Sequence, residues 1–209
     1  MKKAMAATMA SALLLSALVH PLTASEESAA DFFRKDKEYW SKGLVAPSTP
    51  SWAGSLSVGA MRPSKNSSQE EVARAVAEAA RKTLGAEHVD SALRLTKLES
   101  GFRCHVKGPA TRHGRAVGPL QVLPKSAEAL GISAADLHRD CIAQINAGIL
   151  HMERCIRVGA VKYHQLASCH VSGWGGWNKR LARNAEKYRQ KYIRMAAASN
   201  VPAWAGTLR

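Results

Sequence analysis

The chain has 209 residues, with 30 Lys and Arg against 16 Asp and Glu, and a formal net charge of +14. A chain so basic is drawn to polyanions, and charge alone leaves nucleic acid, an anionic cell wall and a membrane surface open as partners. Beyond the N-terminal run, whose apolar stretch is short for a membrane anchor, no stretch approaches the length a bilayer requires.

The first segment reads MKKAMAATMASALLLSALVHPLTAS. Lys2 and Lys3 precede a short apolar run and then small residues, the pattern of a secretory signal peptide over residues 1–24. Cleavage is expected after Ala24 or the neighbouring Ser25, which places the mature protein in the periplasm or outside the cell. Residues 25–67 read as an extended arm. Ala29–Trp40 mixes apolar and charged residues as a short helix would, and from residue 43 the chain is rich in Ser, Pro and Gly without a helical period.

A compact all-α domain is expected over residues 68–196. Ser68 and Glu71 form an S-x-x-E capping box that opens a helix over Gln69–Leu84, with Val72, Ala75, Val76, Ala79 and Ala80 on one face and Gly85 at its end. A second helix is predicted over His88–Ser100, ended by Gly101, and a loop with Gly and His follows over residues 103–117. Pro119 suits the first turn of a helix that Pro124 soon interrupts. Short pieces follow at Ser126–Leu130 and Ala134–His138, then an amphipathic helix over Asp140–Val158 striped with Ile142, Ile145, Ile149, Met152 and Ile156. Val161–Ser172 and Trp177–Ala196 complete the set, and residues 197–209 read as a loose tail. No alternating run is long enough to demand a sheet, and about 130 residues of helix suffice for one core.

Four cysteines in an exported chain point to two disulfides. Cys141 and Cys155 share one helix about 21 Å apart, too far to bridge. The pairs are then 104–141 with 155–169, which we prefer, or 104–155 with 141–169. Cys-His occurs twice, at Cys104-His105 and Cys169-His170, but the spacing fits no common zinc pattern, so neither metal nor cofactor is expected.

The stretch TKLESGF, residues 96–102, is the odd one. Glu99 sits in the last turn of its helix, where the dipole is negative, and shares an apolar face with Leu95, Ala92 and Phe102. Burial and the dipole should both raise its pKa, so that it holds a proton near neutrality. Cleavage of a glycosidic bond needs such an acid. Around it the chain carries Glu99-Ser100-Gly101-Phe102, Gly118-Pro119-Leu120-Gln121 with Pro124 three after the Gln, Asn146-Ala147-Gly148, and Ala167-Ser168-Cys169-His170-Val171-Ser172-Gly173. In order and spacing these pieces resemble the catalytic domain of the soluble lytic transglycosylases, cousins of goose-type lysozyme, over roughly residues 68–195.

The resemblance implies a lysozyme-like α-helical fold. It also implies non-hydrolytic cleavage of the β-1,4 bond between N-acetylmuramic acid and N-acetylglucosamine in peptidoglycan glycan strands. The sugar's own 6-hydroxyl attacks and leaves a 1,6-anhydro end. Carried over, Glu99 protonates the leaving oxygen and then, as carboxylate, takes the proton of the 6-hydroxyl. Ser100 would orient the glutamate or the sugar, and Gln121 would line the cleft. A Tyr of the last helix would hydrogen-bond the acid; Tyr192 fits best and Tyr188 is the alternative. Where the family has Tyr-Asn this chain has His170-Val171, so His170 either binds substrate or packs. In SGWGGW, Trp174 and, less so, Trp177 would stack on a sugar or fill the core.

Only Glu128 offers a second acid between residues 100 and 135, which agrees with chemistry run by one carboxyl rather than two. Competing readings are a lysozyme-type hydrolase on the same fold and a wall-binding protein without turnover. A basic DNA- or membrane-surface binder is a third, for which no motif is present, so neither nucleic acid nor stable membrane insertion is expected. By analogy, the small domain and basic arm suit a wall opener serving an envelope-spanning secretion or conjugation machine, with the arm as its docking element.

Overall fold

The computed structural model describes residues 62–208; the expected signal segment, nearly all of the arm and Arg209 lie outside them. The described chain is mainly helical and contains no strand among its described residues. Helix α1, Gln69–Leu84, opens with the capping box in full: the Ser68 hydroxyl accepts from the Glu71 N–H at 3.2 Å, and the Glu71 carboxylate accepts from the Ser68 N–H at 2.7 Å. Its buried face is Val72, Ala73, Val76, Ala77, Ala80 and Leu84. Ala75 and Ala79, expected on that face, sit at its margin instead, because α1 packs on two neighbours at once. Those neighbours are α2, Val89–Ser100, and α5, Cys141–Arg157, which starts at an Asp140 cap.

Between α2 and α5 lie α3, Pro124–Glu128, and α4, Ala134–Arg139. Pro124 opens a helix rather than breaking one, and Pro119 lies in a turn, since Gln121 adopts φ 49° there and its N–H bonds back to Gly118. Isolated antiparallel bridges, Lys107 with Val117 and Val117 with Val122, fold the intervening loop on itself. Two close approaches explain its glycines. A Cβ on Gly118, whose φ is 86°, would lie 2.6 Å from the Cβ of buried Gln144. A Cβ on Gly148 of α5 would lie 2.5 Å from the Cβ of buried Leu120.

Helix α6, Tyr163–Ser172, packs on α7, Arg183–Ala198. The expected start of α7 at Trp177 is six residues early. The carbonyls of Gly176, Trp177 and Lys179 are taken by the Arg189 guanidinium at 3.0–3.1 Å, and Trp177 also accepts from the Ser168 hydroxyl at 2.9 Å. Backbone acceptors spent on side chains do not build a helix. The segment expected as a loose tail is docked through residue 208. Its short helix α8, Ala203–Gly206, buries Ala205 and sets Trp204 edge-on to Phe102 at 5.6 Å, while Arg81 donates to the Leu208 carbonyl. The cysteines pair as Cys104–Cys141 and Cys155–Cys169, the preferred alternative. No helix among the described residues is long and apolar enough to cross a membrane.

Candidate functional site

Helix α2 positions the central group. Gly101 closes it at φ 62°, donating to the Lys97 carbonyl at 3.0 Å, which leaves Glu99 in the final turn as expected. The Glu99 side chain is 16% exposed. Its Oε1 accepts a short hydrogen bond from the Tyr192 hydroxyl of α7 and lies 3.2 Å from His170 Nε2 of α6. Three helices therefore converge on one carboxylate oxygen. Tyr192 is the tyrosine that meets the acid; Tyr188, one turn earlier, is 61% exposed.

The electrostatic outcome corrects the sequence expectation. Burial is the largest influence on Glu99 and pushes its pKa up, but the hydrogen bond and charge of His170, with the Tyr192 hydrogen bond, outweigh it. The carboxyl is held below its ordinary value rather than above it, because His170 and Tyr192 reach it from distant helices, an approach that neighbours in the sequence do not reveal. Tyr192 moves the other way: burial first, then the adjacent carboxylate, raise it well above the usual phenol range, so it remains a neutral donor.

Behind His170 stands His151 of α5, with ring centroids 5.2 Å apart and planes nearly perpendicular. Neither His151 nitrogen has a hydrogen-bond partner. Burial, then the charges of His170 and Arg154, lower its pKa to about 3, so it is neutral near pH 7. Sequence reasoning missed His151, although a signal existed. Gln144, Gly148, His151 and Cys155 share one face at helical spacing, and Gln144, His151 and Cys155 are buried.

The remaining candidates are not at the carboxylate. Ser100 is buried, with its hydroxyl donating to the Thr96 carbonyl at 3.2 Å and accepting from the Arg103 N–H at 3.2 Å, so it finishes the helix end. The Gln121 amide donates to the carbonyls of Val106 and Gly118 at 3.0 and 2.8 Å and braces the loop. Trp174 is only 6% exposed; its indole N–H donates to the His151 carbonyl at 3.3 Å and Arg154 lies 4.2 Å over its ring. The covered ring packs against α5, in line with the core-filling one of the two roles the sequence left open. Trp177 is half-buried against the core. No cluster of three or more His, Cys, Asp or Glu among the described residues could hold a metal.

Chemically, the arrangement is one desolvated carboxylate with a neutral phenol donor and an imidazole nitrogen on the same oxygen. Comparison with known proteins returns no matching family, no curated relative and no solved structure.

Proposed function

We propose that this protein is a peptidoglycan lytic transglycosylase on a lysozyme-like helical domain, with Glu99 as its single acid–base group. The observation that carries the reading is Glu99 itself: a largely buried carboxylate at a helix end, fixed at Oε1 by Tyr192. Proton transfer at a glycosidic oxygen needs a group held in one position. Tyr192 supplies that restraint without competing as an acid, since burial and the adjacent carboxylate keep its own proton in place.

Glu99 delivers a proton to the leaving oxygen as the bond to the anomeric carbon breaks. The 6-hydroxyl oxygen of the same sugar closes onto that carbon, and its proton passes to the carboxylate. One carboxyl thus serves both halves, and no water is consumed. Two disulfides are compatible with a periplasmic or extracellular setting. The net positive charge suits an anionic wall. The arm would be the element that docks onto an envelope-spanning machine.

Mass spectrometry of soluble muropeptides from isolated wall tests this, using residues 25–209 beside Glu99→Gln. Anhydro-ended products from the native protein alone are expected. Reducing ends would establish a hydrolase instead, and wall binding without product from either chain would establish a binding protein.

A further inference from the structure

The site contains one group that the single-carboxyl scheme does not use. His170 Nε2 lies 3.2 Å from Glu99 Oε1, its side chain is 6% exposed, and its Nδ1 is buried without a partner. We propose that His170 is a positioning residue that shares one proton with Glu99, so that the proton's place on Nε2 or on the carboxyl sets whether Glu99 stands as base or acid. The inference rests on the transglycosylase reading above.

Among the described residues, the acceptor that Nε2 meets is Glu99 Oε1. Glu99 faces His170 from α2. Tyr192 faces it from α7, its ring near-parallel at 6.2 Å, and donates its own proton to Glu99. His151 faces it edge-on from α5, neutral, with the Arg154 cation beyond at Trp174. Glu99 is the sole anion in this set. A buried carboxylate beside an imidazolium and a neutral carboxyl beside an imidazole carry the same total charge, and desolvation narrows the gap between them. This resolves a tension in the site: a carboxyl held below its ordinary pKa makes a poor acid on its own, yet the scheme asks it to donate first.

The proton count closes. The pair begins with one proton, which leaves from the carboxyl to the departing glycosidic oxygen as that oxygen's bond to the anomeric carbon breaks. The 6-hydroxyl oxygen forms the new bond to the same carbon and releases its proton to the carboxylate. The pair ends with one proton, shared as before, with no oxidant, reductant or water required.

The test is the pH profile of muropeptide release by the full mature chain and by His170→Gln, whose amide still donates to Oε1 but cannot carry the proton. Native activity should hold from about pH 5 to about pH 7.5, whereas the variant should stay within about threefold of it at the acid end and fall by about tenfold or more at neutrality. A loss by the same factor at every pH, or an unchanged profile, would overturn the role of His170. To keep the test independent of how the variant folds, ring-nitrogen NMR of His170 is read in native protein and in Glu99→Gln. The Nε2 and Nε2–H resonances should move between the two proteins, because the carboxylate that Nε2 faces is gone, and unmoved resonances would also overturn the pairing. If the resonances move but native protein releases nothing at any pH, the transglycosylase reading itself fails, and the role of His170 in turnover with it.

Discussion

Tyr192→Phe removes one of the two donors on Glu99 Oε1 and keeps the ring that packs along His170. A hydrogen bond to a charged group contributes about 1.5–3 kcal/mol. His170 exerts the stronger pull and stays, so we take the lower end, about 1.5 kcal/mol, with the Glu99 pKa moving upward as the donor is lost. The folded carboxyl titrates below its unfolded value, so its contribution is fully present above the unfolded pKa and is lost as pH falls through the folded one. The variant should therefore melt about 3–6 °C below native protein at neutral pH. The gap should narrow as pH falls through the folded pKa of Glu99, because a protonated carboxyl no longer draws on the hydroxyl as a charged acceptor. Calorimetric scans across that range decide it. A gap of constant size from acid to neutral pH would mean that the hydroxyl contributes to packing alone and does not hold the carboxylate.

Gly148→Ala should destabilise, although Ala is the better helix former by about 1 kcal/mol, because its Cβ would meet the Cβ and Cδ1 of buried Leu120 at 2.5 and 2.3 Å. A net loss of about 1–3 kcal/mol in urea unfolding is expected, and equal or greater stability would refute the close packing of α5 on the loop. Replacing both Cys155 and Cys169 by Ala should cost about 3 kcal/mol, for a crosslink spanning 14 positions. A loss well below about 1 kcal/mol would show that α5 and α6 dock without it.

Much of the helical frame was legible because its signals are local. The Ser68–Glu71 box, Gly101 after Ser100 and the apolar stripe of the long helix each read from neighbours in the chain, and Gly101 placed Glu99 at its helix end. What failed depended on partners far away in sequence. The start of α7 was misjudged because Arg189 captures carbonyls ten to thirteen residues upstream, and no periodicity announces that. The tail was misjudged because its anchors are Arg81 and Phe102, on other elements. Glu99 was found from its position alone, but the direction of its pKa was not. Burial could be guessed from the apolar face, while the donors that outweigh it lie 71 and 93 residues further on, and their approach is set by how three helices cross.

The two cystines sit beside the groups that meet. Cys104 follows Glu99 in the adjoining loop, and Cys169 directly precedes His170, so each side of the carboxylate–imidazole contact is clamped to α5, by Cys141 and Cys155 respectively. In a reducing compartment both clamps would be open, and the two halves would be joined by packing and by hydrogen bonds such as those of His105 with Gln144. The same covalent chain thus carries a form of timing: its site is fully fastened only after oxidation, and a reduced copy holds neither crosslink.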